Sequence, residues 1–578
     1  MKRLILAIMI VCFMTVPANA ATKYVDFGAG TDTGGCGAAS GASACKTVSY
    51  MLTGNRTVQG DTVQMAAGTY EEPVTVVEMS GAAATTIIHG NGTVNFNIHS
   101  GVASYVFFTQ HSLKFQNINF TDTTPTGMTL MRIYASVNVY FEDCTFDLPG
   151  SAYATIFPYG DGFTINVYFT RCKIANTTHA NGFILNTWAA LTAFNTYFYS
   201  CSAWNNTYIV ADTLGSTTVV AKNNTFVSPV NTFFSLNATG GAITAHNNIF
   251  GLTTGKYGIG LDATGTTWDV DYNVYWTTET PFDTDLNNLV YQNGTNFLPI
   301  GGHNRLINPA FTNYAANPPD LTLATTSYAA GRGSATNHPP DNLDITGVAF
   351  GTNDVGCYKN PAFLPVALTK NKVVFLGDSI MYGYSADVGS KVYETFATLV
   401  PKASVVAGTN TAVSGIFTRA GILFVDYVMV TQSPKIVYLS IGVNDATSPK
   451  AGQTASLTAV EIEKMIVKIK EYGAIPIWLG VPSVIGDPPD NTFAKAVNAA
   501  VDAYCTTSGD RYGDILTEME KNTDWKTDYY ADLTSSPHPD NDGHALYASL
   551  AKGLYPSGGG LMSTFTRFNT FAPHRRLH

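Results

Sequence analysis

Three short motifs carry side chains that could move an acyl group. Gly377-Asp378-Ser379-Ile380 offers a hydroxyl, Gly442-Val443-Asn444-Asp445 a carboxamide, and His538-Pro539-Asp540-Asn541-Asp542-Gly543 an imidazole. A serine hydroxyl is a poor nucleophile unless a neighbouring base takes its proton as the new bond forms. Imidazole, with an ordinary pKa of ~6.5, suits that task near neutrality. The tetrahedral intermediate of acyl transfer carries negative charge on the former carbonyl oxygen. Each fixed donor aimed at that oxygen is worth ~2.7–4 kcal/mol.

Elements able to position these groups are legible around them. The runs KVVFLGDS (Lys372 to Ser379), KIVYLSIG (Lys435 to Gly442) and IPIWLGVPS (Ile475 to Ser483) are almost continuously apolar, as buried parallel strands require. Leu457, Val460, Met465, Ile466 and Ile469 recur at helical spacing, with Gly473 as the stop. Further helices are expected over Ala494 to Cys505 and His544 to Leu554. The expectation is a three-layer α/β/α, flavodoxin-like domain over residues 371–556, after a linker at 361–370 and before a flexible tail at 557–578. Ligands of such sheets sit at the carboxyl ends of the strands, where the first two motifs fall.

The set and order of the motifs resemble the SGNH (GDSL-like) hydrolases, a family of esterases and deacetylases. The G-x-S-x-G elbow of ordinary α/β-hydrolases is not met, because Met381 stands at the last glycine position. The resemblance implies Ser379 as nucleophile and His538 as base. It implies three oxyanion donors: the backbone N–H groups of Ser379 and of Gly415 in AVSGIF, and the side chain of Asn444. Gly408 is the neighbouring alternative to Gly415. One position departs from the family, which places an aspartate three residues before the histidine to hold its tautomer. Here that residue is Ser535, and the nearest preceding acid is Asp532. Asp532 is taken as the third catalytic residue, reaching His538 across an insertion, with a backbone carbonyl as the alternative. His544 reads as a packing or capping residue, and Asp378 and Asp445 as structural.

The first half reads differently. Short strands end at Phe120, Phe146, Ile174, Phe198, Phe226, Phe250 and Tyr275, at intervals of 24–28 residues. They alternate and are rich in Val, Phe, Tyr and Thr, which favours a strand solenoid over helical repeats. Two residues earlier stand Ile118, Cys144, Cys172, Thr196, Asn224, Asn248 and Asn273. Stacked at the ~4.8 Å strand spacing, three successive asparagines would form an amide ladder and two cysteines a thiol step. The flanks GDTVQMAAGTY (Gly60 to Tyr70), NPAF…DLTL…SYAAGRGS (Asn308 to Ser334) and DVGCY (Asp354 to Tyr358) resemble segments of right-handed parallel β-helix proteins, the pectate-lyase-like superfamily. That domain is placed at residues 21–360. Glu142, Asp143, Arg171 and Lys173 form a charged group there, read as strand residues facing solvent rather than as catalysts. Tyr134, Tyr153, Trp188, Trp204, Trp268 and Trp276 are candidates for stacking on sugar rings.

Residues 1–20 combine Lys2 and Arg3, an apolar stretch and Ala18-Asn19-Ala20, the pattern of a cleaved export signal. The expected location is therefore secreted, periplasmic or cell-surface, where a Cys36–Cys45 bridge could persist. The net charge of -10 argues against nucleic-acid binding, and no long apolar run argues for a membrane span. No metal or cofactor is called for. The expected function is an exported serine esterase removing acyl groups, O-acetyl above all, from a polysaccharide partner held by the solenoid. Alternatives are a polysaccharide O-acetyltransferase, a glycan-binding or adhesion protein with a vestigial esterase domain, and a solenoid that itself cleaves glycan. The oligomeric state is left open.

Overall fold

The structure is a computed structural model. It describes residues 20–556 except 54–55, 77–78, 80–82, 99–104, 123–128, 150–154, 178–181, 187–190, 213–216, 228–232, 237–240, 253–258, 262–266, 278–290, 293–300, 363, 450–452, 484–490 and 531–537. The export signal, Tyr153, Trp188 and the tail after residue 556 thus lie outside the described residues. The chain divides into two compact units. Of the described residues, the first holds those between 20 and 277 together with 291–292 and 309–362, and the second those at 301–308 and between 364 and 556.

The first unit is a parallel β-solenoid of about six turns over residues 62–276. One turn shows its plan: strands Asn138–Glu142, Thr145–Asp147 and Ile156–Pro158. Their counterparts one turn later, Thr164–Thr170, Lys173–Ala175 and Ile184–Asn186, stack on them in parallel. A single left-handed residue turns the chain between the first two strands. Asn117, Asp143, Arg171, Ser200, Asn223, Asn247 and Tyr272 fill that corner with φ between 53° and 58°. Asparagine is the non-glycine residue that accepts this conformation best, and it holds three of the corners. Inside, the rings of Phe115, Phe141, Phe169 and Phe198 stack at 5.1, 5.1 and 4.9 Å.

That column corrects one rung of the repeat. Phe198 belongs with Phe169, whereas the residue stacked on Ile174 and Phe226 is Ala203. The ladder residue of that turn is accordingly Cys201, not Thr196. Cys172 N–H donates to Cys201 Sγ at 3.4 Å, and Cys201 N–H to Asn224 Oδ1 at 2.8 Å. An aromatic residue drew the reading five positions too early, because the true rung ends in a small alanine. The amide ladder itself forms. Asn224 Nδ2 donates to Asn248 Oδ1 at 2.8 Å, and Asn248 Nδ2 to Asn273 Oδ1 at 2.9 Å, all three buried. Each acceptor oxygen also takes the backbone N–H of the rung before it. Replacing Asn248 by alanine is expected to destabilise the solenoid by about 1–3 kcal/mol, because Asn224 keeps two buried donors with no acceptor. Urea unfolding followed by tyrosine fluorescence checks this; a loss below about 0.5 kcal/mol (about half the mean hydrogen-bond effect) would deny the ladder that role.

The segments flagged after residue 308 line the Asn corners. Ser334 N–H donates to Asn247 Oδ1 at 2.7 Å, Asn223 Nδ2 to the Asp354 carbonyl at 3.1 Å, and Cys357 N–H to Thr225 Oγ1 at 3.0 Å. All of the charged group but the exposed Lys173 serves the same end. Arg171 pairs with Asp143, Glu142 and, across the chain, Asp341, with its side chain only 9% exposed. Cys36 and Cys45 form a disulfide.

The second unit is an α/β domain with one parallel sheet. In chain order its elements are β1 (Thr369–Gly377), α1 (Ser379–Tyr382), α2 (Val392–Leu399), β2 (Ser404–Val405), α3 (Thr418–Gln432), β3 (Pro434–Ser440), α4 (Val443–Thr447) and α5 (Ala455–Glu471). Then come β4 (Ile475–Trp478), α6 (Thr492–Ser508), β5 (Arg511–Tyr512), α7 (Ile515–Glu520), α8 (Trp525–Tyr529) and α9 (Asn541–Leu554). The strand order is β2-β1-β3-β4-β5. This is a doubly wound order, whose ligand crevice opens where the winding reverses, between β1 and β3. Among the described residues no helix is long and apolar enough to cross a membrane.

The buried face of α5 departs from its apolar pattern. Val460 is exposed, while Glu461 and Lys468 are buried with Ile462, Met465, Ile466 and Ile469. Lys468 Nζ donates to Asp426 Oδ2 of α3 and to the Ile422 carbonyl, both at 2.8 Å. Residues 301–308 complete this cluster. Lys468 also reaches the Asn304 carbonyl, and Arg305 pairs with Glu471 and with Asp426 at 3.1 Å. Tyr472 Oη donates to Asp426 at 2.8 Å. Burial works against charge on Asp426, but Lys468 and Arg305 outweigh it and hold the carboxyl below its usual range. Burial pulls Lys468 down to about 8.

Candidate active site

Ser379 opens α1 directly after β1, with only 3% of its surface exposed. β1 and β3 pair so closely at Gly377 and Ser440 that a Cβ on Gly377 would lie 1.9 Å from the Ser440 carbonyl oxygen. Only glycine fits there. Asp378 caps α1 by accepting the Ile380 N–H at 3.1 Å. Burial pushes its carboxyl up to about 7, although the backbone N–H groups of Ile380, Val443 and Gly442 act to lower it. The serine turn thus lies beside the start of α4, which carries Asn444.

His538 Nε2 lies 2.7 Å from Ser379 Oγ, the contact a general base needs. Nδ1 is then the position for an orienting acceptor. Asp532 and Ser535 lie outside the described residues. Burial lowers the His538 pKa, so the imidazole stays neutral to a lower pH than a free histidine. The Tyr384 ring stacks on His538 at 5.3 Å and 26°. Its carbonyl lies 3.1 Å from Nε2 of the fully buried His544. A carbonyl only accepts, so His544 carries its proton on Nε2. Burial pushes His544 down to about 4, which keeps it neutral and in place as support, not base. Neither the Tyr384 ring nor this second histidine contact is marked by a motif.

The loop before α3 joins the same crevice. Val413 N–H donates to the Gly377 carbonyl at 3.0 Å, and Asn444 Nδ2 donates to the Ile416 carbonyl at 3.0 Å. That bond orients the amide and leaves its second hydrogen for another acceptor. Gly415 lies between them with φ +76°, a conformation other residues rarely adopt, and is half-buried. Gly408 instead packs against Met381, where a Cβ would lie 2.2 Å from the carbonyl oxygen. Asp445 points away from the chemistry. It accepts from Thr418 N–H at 3.1 Å, Thr418 Oγ1 at 3.0 Å and Gln453 Nε2 at 2.9 Å, and burial beside Glu461 pushes it up to about 7.

Ester hydrolysis is expected to fail on the acid side as His538 takes up a proton and loses its acceptor lone pair. Because burial lowers that pKa, the midpoint should lie below ~6.5. A kcat/KM profile with p-nitrophenyl acetate measures it, and a midpoint above neutrality would contradict the assignment.

Residues 375–546 match the model of the GDSL-like lipase/acylhydrolase family. The second unit therefore carries a GDSL-type hydrolase domain, and its chemistry is ester hydrolysis. Solved structures similar to it include the lipase/acylhydrolase from Enterococcus faecalis, at 20% identity and a TM-score of 0.27, covering 33% of this chain and 100% of that one. A member of the lipolytic G-D-S-L family from Veillonella parvula has 19% identity and a TM-score of 0.27, covering 32% and 98%. The psychrotrophic esterase EstA from Pseudoalteromonas sp. has 13% identity and a TM-score of 0.27, covering 32% and 96%. No curated protein matches the chain.

Proposed function

We propose that the protein is an exported carbohydrate esterase that removes O-acyl groups, acetyl above all, from a polysaccharide held by the solenoid. The observation that carries this reading is the 2.7 Å contact between Ser379 and His538 in a chain that also builds a long strand solenoid. Ser379 Oγ attacks the ester carbonyl while His538 Nε2 takes its proton. The backbone N–H groups of Ser379 and Gly415 and the Asn444 amide receive the charge that develops on the carbonyl oxygen. His538 then protonates the departing sugar oxygen, and a water molecule repeats the sequence to free the acid. Asp532 is assigned the part of orienting Nδ1.

The test is acetate release from acetylated and chemically deacetylated samples of the same polysaccharides, alongside p-nitrophenyl acetate. Turnover of both ester types supports the reading. Hydrolysis of the small ester with no release from any acetylated glycan would keep the esterase and remove the glycan. Transfer of acetyl to added glycan in place of hydrolysis would favour an acetyltransferase.

A further inference from the structure

The third strand stack of the solenoid carries an arginine whose setting the hydrolase does not explain. Phe108, Arg132 and Phe157 occupy one register position on the successive strands Tyr105–Thr109, Thr129–Ile133 and Ile156–Pro158. Their chain neighbours Phe107, Met131 and Ile156 are buried, so by alternation these three side chains face outward. The Arg132 guanidinium carbon lies 5.0 Å from the ring centre of Tyr159, 5.3 Å from Tyr105 and 6.0 Å from Phe157. Tyr134, 36% exposed, stacks on Phe108 at 6.0 Å and meets Tyr159 at 5.5 Å and Phe163 at 5.6 Å.

Among the described residues nothing hydrogen-bonds Arg132 and no carboxylate pairs with it; its Nε is buried without a partner. Arg171, Arg305 and Arg419 each have a carboxylate. Ring faces can satisfy a guanidinium's charge but not its N–H donors. Its terminal nitrogens are the groups left to meet a ligand, and a planar fork of donors fits a carboxylate. Around it the tyrosines offer flat apolar faces with polar rims, Tyr134 and Tyr159 following directly on the paired Ile133 and Pro158 of neighbouring rungs.

We propose that this patch is a binding subsite for an acidic sugar unit of a polysaccharide, with the sugar carboxylate on Arg132 and the ring face on Tyr134. The chain's net charge of -10 gives no general attraction for a polyanion, so retention of one must come from a local cation. The subsite is in the solenoid, so its test is made on full-length Ser379→Ala protein and does not depend on catalysis. Affinity electrophoresis in carboxymethylcellulose and in neutral hydroxyethylcellulose compares a charged and an uncharged polymer on one backbone, with alginate as a second acidic polymer. The expected result is salt-sensitive retardation by the acidic polymers alone. Arg132→Gln should weaken it by about tenfold or more, Arg132→Lys by less, and Tyr134→Ala measurably. Equal retardation by hydroxyethylcellulose, no retardation by either acidic polymer, or unchanged affinity in Arg132→Gln would each overturn the proposal. If Arg132→Gln fails to fold, the Lys and Tyr134→Ala variants decide it by the same readout.

Discussion

Replacing Ser379 by alanine should lower ester hydrolysis by roughly 10^4- to 10^6-fold while leaving the fold intact. The hydroxyl lies 2.7 Å from His538 Nε2, in place to be deprotonated, and alanine leaves the backbone donor in position. His538→Ala should cost about as much, and the double variant little more, because base and nucleophile act as one unit. Asn444→Ala should behave differently, with a loss of about 10²- to 10³-fold in kcat and a small change in KM, as expected of a donor used mainly in the transition state. Initial rates with p-nitrophenyl acetate, together with melting curves, test all four proteins. A folded Ser379→Ala protein within tenfold of the wild-type rate would remove Ser379 from the nucleophile's place.

The largest effect on stability is expected at Asp426. Its carboxylate accepts from Lys468, Arg305, Tyr472 and the Leu306 N–H inside the second unit. Asp426→Ala leaves an ammonium and part of a guanidinium buried without their main counter-charge, a change that typically costs about 3–5 kcal/mol. The exposed pair Lys521–Glu518 is the control, since removing it should change stability by less than about 1 kcal/mol. Urea unfolding of the two variants separates these cases; equal, small losses would show that the buried cluster is not what holds α3 to α5. A fragment begun at Leu364 should be weakened for the same reason, because it lacks the Asn304 carbonyl and Arg305.

How far the sequence disclosed this molecule follows from what kind of signal each part leaves. The strands that lead to Ser379 and Asn444 are buried on both faces and so read as apolar runs, and the asparagine ladder repeats at an almost fixed interval. Both were legible. Phe198 was misplaced because two aromatic columns run side by side in the solenoid, and one rung ends in Ala203. β2 and β5 are two residues each and leave no periodic trace. The face of α5 was read through Val460, which is exposed, because a helix face built on Glu461 and Lys468 looks solvated in one dimension. Their partners, Asp426, Thr418 and Arg305, are far along the chain. Tyr384 was silent for a similar reason: its effect on His538 depends on a turn, and its neighbour His544 supports it from α9.

The cysteine column gives the solenoid its own chemical reporter. Cys144, Cys172, Cys201 and Cys357 are unbridged and buried in the first unit, and Cys505 is buried in α6 of the second. A maleimide reagent can label any of them only after the surrounding structure has opened. Pulsed alkylation followed by peptide mapping would therefore time the opening of each half of the chain separately, from one unmodified sample.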